Sequence, residues 1–134
     1  MADLSSDLGR STRIVVSGYA RTKVHDARLI RGEKRALVVS LKGAIPAART
    51  IATARWQCDD GTTVVMSNPR LSDDLKETAI DLLASWPGCG NLKCTMTLDN
   101  GEAMAQLAVV TVSDAYYFTD GSSQTGPTDL TVTA

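Results

Sequence analysis

Residues 50–58 read TIATARWQC and residues 91–98 read NLKCTMTL. In the first stretch Ala52, Ala54, Trp56 and Cys58 alternate with Thr53, Arg55 and Gln57. In the second, Leu92, Cys94, Met96 and Leu98 alternate with Lys93, Thr95 and Thr97. Side chains of a strand point to opposite faces in turn, so each stretch predicts a half-buried strand with an apolar and a polar face. Asp99-Asn100-Gly101 follows the second stretch, and Asn-Gly between alternating runs is a strong hairpin signal. The return strand is expected over 102–112. Within it Leu107 and Val109 share one face while Val110 and Val112 share the other, a change of parity that predicts a β-bulge near Ala108.

Working outward, RALVVSLK (35–42) alternates again, with Leu37, Val39 and Leu41 on one face and Ser40 and Lys42 on the other. TTVVMS (62–67) is rich in β-branched residues, follows the turn Asp59-Asp60-Gly61 and stops at Asn68-Pro69, a turn signal. LSDDLKETAIDLLASW (71–86) fits two periods. Leu71, Leu75, Ala79, Leu82 and Trp86 recur at helical spacing, whereas Thr78, Ile80 and Leu82 share a strand face. Because tertiary context overrides local propensity, a turn over 70–76 and a strand over 77–84 are the expectation. RIVVSGYA (13–20) reads as a first strand, 21–34 as a basic, turn-prone link, and the closing DLTVTA as a tail poor in core residues. The expected organisation is an N-terminal strand and basic arm over 1–32, a sandwich over 33–114 and an aromatic and polar extension over 115–134.

The chain has 134 residues, 43% apolar and 22% charged, which suits one domain with a buried core. No apolar run approaches the ~18 residues of a membrane span, and the polar start MADLSSDLGRSTR lacks the apolar segment of a signal peptide. The expectation is a soluble chain made in the cytoplasm. The formal net charge of −1 hides a split: residues 1–55 hold 11 Lys+Arg against 4 Asp+Glu, and residues 56–134 hold 3 against 11. Either strands from both halves interleave and the charges mix, or the basic segment of one copy meets an acidic surface of the next.

Catalytic chemistry finds little to work with. The only histidine, His25, stands beside Asp26 in the basic link, with no G-x-S-x-G elbow, phosphate-cradling glycine loop or H-E-x-x-H motif. No catalytic, cofactor-binding or metal-ligating residue is therefore assigned. Cys58, Cys89 and Cys94 lack the paired spacing of a zinc site, and free thiols are expected, although Cys58 and Cys94 face inward on neighbouring strands where a disulfide is geometrically possible. Asp59-Asp60 and Asp73-Asp74 lack the spaced D-x-D-x-D pattern of a calcium loop and read as solvated turn residues. The basic stretch 10–35 has only Tyr19 to stack on bases, and the acidic half repels polyanions, so a protein partner fits it better than nucleic acid. The candidate interface residues are Arg28, Arg31 and Arg35 of that stretch and the aromatic run Tyr116, Tyr117 and Phe118, which either covers a core edge at a strand end or anchors a partner.

Trp56 on a strand ending in Cys58, Gly90-Asn91-Leu92-Lys93-Cys94 and the hairpin over Asp99-Asn100-Gly101-Glu102 resemble an immunoglobulin-type sandwich over residues 33–113. Antibody domains carry a Tyr where Leu92 stands and a further Cys on the strand that matches 35–42, which here has none, so their disulfide does not transfer. The order RLIRGEKRALVVSL, ATARWQC, LKCTMTLDNGE, LAVVTVSD resembles small virion proteins of tailed bacteriophages of the fiber-tail adaptor type. That resemblance implies an all-β, immunoglobulin-like antiparallel sandwich with extended arms. It implies a non-enzymatic structural protein of the virion tail, assembled in the host cytoplasm as a homo-oligomer. Its partners would be other tail proteins and the tail fiber, with no nucleic acid, membrane, cofactor or small-molecule substrate. The alternative class is a carbohydrate- or receptor-binding immunoglobulin-like module.

Overall fold

A computed structural model describes residues 11–15 as backbone and residues 24–114 and 124–134 in full. The described chain is all β. Its strands are β1 (Ser11–Val15), β2 (His25–Ile30), β3 (Lys34–Ser40), β4 (Ile51–Cys58), β5 (Val64–Leu71), β6 (Glu77–Ala84), β7 (Gly88–Leu98), β8 (Ala103–Ser113) and β9 (Asp129–Thr133). They form a four-stranded sheet in the order β1-β3-β6-β5 and a five-stranded sheet in the order β2-β8-β7-β4-β9. The partition of β3, β6 and β5 against β4, β7 and β8 is that of the B-E-D and C-F-G strands of the immunoglobulin fold, so the protein is an immunoglobulin-like β-sandwich. Most pairs are antiparallel, while β1 on β3 and β2 on β8 are parallel.

The core lies between the sheets. Leu37, Val39, Leu41, Val64, Met66, Ile80 and Leu82 come from one side, and Ile51, Ala54, Trp56, Leu92, Cys94, Met96 and Val110 from the other. Trp56 is 1% exposed and lies directly opposite Cys94 in the ladder. Its indole Nε1 donates to Thr78 Oγ1 of the facing sheet at 3.3 Å, and Thr78 Oγ1 donates to the Arg70 carbonyl at 2.9 Å. The ring that fills the core therefore also carries a polar link across it, as a buried indole N–H requires.

The expected strands over 35–42, 50–58, 77–84, 91–98 and 102–112 are present as β3, β4, β6, β7 and β8. Of the first expected strand, 13–15 lie in β1, and 16–20 lie outside the described residues. Five details differ. The supposed link over 21–34 contains β2, whose Ala27 and Leu29 pack on the core while Asp26, Arg28 and Ile30 face out. Gly32, at φ 95°, lets the chain turn from β2 in one sheet into β3 in the other.

The second difference is at Asn68-Pro69, which interrupts β5 without ending it. The register shifts between Ser67 and Arg70, Asn68 adopts φ 54°, and pairing resumes through Leu71, so the turn starts after Leu71 and not at 70. Third, β8 has no bulge near Ala108. Leu92, Cys94 and Met96 point inward, and the tight hairpin pairs them with Ala108, Gln106 and Met104, which fixes the parity of β8. Gln106 is thus buried at 2% exposure, its amide donating to the Leu107 carbonyl, while Leu107 faces solvent beside Lys93. Fourth, a bulge falls in β4 between Ile51 and Thr53, so Ile51 joins the core face and Ala52 is only half-buried. Fifth, the outer face of β3 is not polar and wet: Ala36, Val38 and Ser40 are buried, and Val38 packs with Ala79 in a second small cluster.

Candidate functional site

The basic residues singled out by the sequence do not form one patch. Arg28 sits on the outer face of β2 and is exposed. Arg31, in the connection after β2, is locked in place: its Nε donates to the Ser85 carbonyl at 3.0 Å, its Nη1 lies 3.2 Å from Asp114 Oδ2, and its guanidinium stacks 4.7 Å from the Trp86 ring centroid. Only 11% of the Arg31 side chain is exposed, so it is a structural clamp and not an open docking residue. Arg35, in the other sheet, lies 3.8 Å from Glu33 and is mostly covered. Tyr116, Tyr117 and Phe118 lie outside the described residues.

The two charge-rich halves meet inside one chain. Arg31 pairs with Asp114, Lys42 with Asp74 and Glu77, Arg49 with Asp99, and Arg55 with Asp129, each pair joining the basic half to the acidic half. Interleaving explains this: β2, β3 and β4 come from the basic half and lie beside β8, β6, β7 and β9 of the acidic half.

The acidic pairs are wired into turns rather than free to hold a cation. Asp59 accepts from the Asn91 backbone N–H at 2.9 Å and from Asn91 Nδ2 at 2.6 Å, and these bonds hold its carboxyl below the usual carboxylate range. Asp60 accepts from Thr62 N and Thr63 Oγ1. Asp74 accepts from Ser72 Oγ at 2.5 Å and from Lys76 N, with its carboxyl likewise lowered by the Ser72 bond first. Among the described residues no group of three or more His, Cys, Asp or Glu side chains is placed to hold a metal ion.

All three cysteines are thiols in the structure. Cys58 stands opposite Leu92, and Cys94 opposite Trp56, so the two sulfurs are on diagonal positions of the ladder and not on facing ones. Diagonal neighbours lie about 7–8 Å apart, beyond the reach of a disulfide without backbone movement. Burial raises both thiols, Cys94 far more than Cys58, which leaves neither as a reactive thiolate.

Two features were hidden from sequence reasoning. Lys76 Nζ donates to the Ala47 carbonyl at 2.9 Å and to the Arg49 carbonyl, closing the β3–β4 loop, and nothing local in the sequence pairs residues so far apart. At the outer edge of the five-stranded sheet, Arg55 grips Asp129 through Nε at 3.0 and 3.1 Å and Nη2 at 2.6 Å, a bidentate contact that fastens β9 to β4. The outer face of this sheet is lined by Thr53, Thr95, Thr97, Thr131 and Thr133 with Arg55, Gln57, Lys93 and Leu107, and is its solvent side.

No family model matches the sequence, and no curated protein matches it. Among solved structures the chain is similar to the one described as PbICP-C in complex with falcipain-2, with a TM-score of 0.50 and 9% identity over 84% of this chain and 96% of that chain. It is also similar to EhICP2, a cysteine protease inhibitor from Entamoeba histolytica (TM-score 0.48, 9% identity, 78% of this chain and 96% of that one). The titin M3 domain gives a TM-score of 0.44 and 15% identity over 68% of this chain and 92% of that one. At such identities the likeness speaks to the fold alone, in agreement with the strand order, because one sandwich architecture hosts many unrelated functions.

Proposed function

We propose that this chain is a non-enzymatic structural protein of a tailed-bacteriophage virion, of the fiber-tail adaptor type, joining the tail fiber to other tail proteins as a homo-oligomer. The reading is carried by the order of RLIRGEKRALVVSL (28–41), ATARWQC (52–58), LKCTMTLDNGE (92–102) and LAVVTVSD (107–114), which resembles that of fiber-tail adaptor proteins. It fits the kind of surface that the described residues present: a threonine-lined sheet face and sheet edges, which suit contact between proteins. Four basic side chains of the first half, Arg31, Lys42, Arg49 and Arg55, already pair with acidic residues of the second half within one chain, so affinity between subunits would draw on sheet faces, edges and apolar anchors as well as on charge.

Mass spectrometry of purified virions from the phage that encodes this chain tests the proposal. The expected result is the chain at a fixed stoichiometry to the tail proteins, retained after high-salt washing. Its absence from intact virions would overturn the reading.

A further inference from the structure

Two sheet edges lie on the same side of the sandwich, and they are protected very differently. In β5 the ladder is broken by the bulge between Ser67 and Arg70, and Pro69 has no N–H to offer a further strand. Gly126 lies over this edge, its N–H donating to the Gly61 carbonyl at 2.9 Å. By contrast β9, Asp-Leu-Thr-Val-Thr, holds no proline, glycine, lysine or bulge, and among the described residues it is the last strand of its sheet.

The register identifies which backbone groups are open. Cys58 N donates to the Thr128 carbonyl and Ala134 N to the Ala52 carbonyl, both at directly opposed positions of the β4–β9 ladder. Antiparallel residues alternate between exchanging both bonds and exchanging none, so Leu130 and Val132 bond to β4 while Asp129, Thr131 and Thr133 turn their N–H and C=O groups outward. The side chains of these three residues are exposed, and Asp129 already has its counter-charge in Arg55.

We propose that the β9 edge pairs with the β9 edge of a second copy of this chain, antiparallel about a two-fold axis through Thr131, to make one continuous sheet across the dimer. The pattern is self-complementary. Thr131 faces its own counterpart, and Asp129 faces Thr133 of the second copy, so every outward N–H and C=O finds a partner and no like charges oppose one another. Among the described residues the other edge of the sheet, β2, offers less: Arg31 N donates to the Ser113 carbonyl, which puts the odd positions of β2 on β8 and leaves Asp26, Arg28 and Ile30 outward, and of these Ile30 already donates its N–H to Glu33 Oε1 at 2.6 Å and accepts from Glu33 N at 3.0 Å. The inference stands on the edge geometry and does not depend on the virion reading.

A five-residue edge buries less than a standard interface, so dissociation on the order of 100 µM is expected for the free chain, tightening where copies are held together. Sedimentation of the full-length protein from 10 µM to 1 mM should show a monomer–dimer equilibrium, and Thr131→Lys should weaken it at least tenfold with the circular dichroism spectrum unchanged. Thr131→Pro, which removes an outward N–H, should do the same; the lysine variant decides if the proline variant fails to fold. Under mild oxidation Thr131→Cys should cross-link to a dimer, with the wild-type chain as control for its own thiols, whereas Thr133→Cys should not, because position 133 faces 129. A chain that stays monomeric at 1 mM, a dimer untouched by Thr131→Lys, or cross-linking as efficient from Thr133→Cys or from Arg28→Cys on β2 would overturn the proposal.

Discussion

The two sheets of this sandwich share a core but not an environment. In the four-stranded sheet β3 is buried on both faces: Leu37 and Val39 enter the main core, while Ala36, Val38 and Ser40 on the opposite face are also closed to solvent. In the five-stranded sheet β4, β7 and β8 bury one face only, and the other carries threonine, arginine, lysine and an exposed leucine. The contrast shows where the molecule can change and where it can bind. Apolar pairs such as Val38 and Ala79 constrain the first sheet from both sides, whereas among the described residues the second has one face and its β9 edge uncovered.

The largest effect should come from the core side chain that also carries a polar link between the sheets. Trp56→Ala should destabilise the protein by about 3–5 kcal/mol, because it opens a cavity between the layers and removes the link to Thr78. Chemical denaturation followed by circular dichroism would check this; a loss under about 1 kcal/mol would mean that the sheets do not depend on the indole.

A matched pair of substitutions tests the asymmetry itself. Val38→Ala on the covered outer face of β3 should cost roughly 2 kcal/mol, by loss of buried methyl groups and imperfect collapse around them. Thr95→Ala on the outer face of β7 should change stability by less than about 0.5 kcal/mol. Equal costs would erase the distinction between the two outer faces.

A third substitution separates an edge from the rest of its sheet. A Cβ on Gly61 would come within 2.3 Å of the Gly126 carbonyl oxygen, a backbone atom that must then move. Gly61→Ala should displace the approach to β9 and raise amide exchange at Leu130 and Val132, with little change at Val110 in the middle of the sheet. Uniform loosening of both regions would show that β9 is not separately anchored.

The smallest effect expected is on acid stability. The Asp129 carboxyl is held low first by its hydrogen bonds from Arg55, and Asp59 and Asp74 by theirs from Asn91 and Ser72. A lowered folded-state value means that these contacts stabilise above the ordinary carboxylate value of about 3.9 and are lost as pH falls through the lowered values. The melting temperature should be flat from neutral pH to about 5 and decline below about 4. Asp129→Asn should make that decline shallower, and an unchanged acid limb would remove Asp129 from the account.

Strands that bury four or more residues on one face announce themselves by alternation, as 91–98 does with Leu92, Cys94, Met96 and Leu98. The edge strands β2 and β9 commit only Ala27 and Leu29, or Leu130 and Val132, to the core, too few for periodicity to stand out from their charged and threonine neighbours. The sequence points β8 the wrong way because Leu107 is more apolar than Gln106, whereas register with β7 decides which of them is inside. Charge gave the weakest guidance to a site. Arg28, Arg31 and Arg35 look alike in sequence, and only the partners Asp114 and Trp86, 83 and 55 positions away from Arg31, distinguish a clamp from an exposed residue.

The bidentate grip of Arg55 on Asp129 has a kinetic consequence. The strand it fastens is the last added to its sheet, holds five residues and is tied down by an ion pair open to solvent and salt. Such a strand opens by a local route at a free energy well below that of global unfolding. Protection of Leu130 and Val132 should therefore fall with added salt and respond weakly to denaturant, while amides around Trp56 exchange only when the whole sandwich comes apart. On that expectation the described strands divide into two cooperative units, the body of β1 to β8 and β9 with its own opening equilibrium.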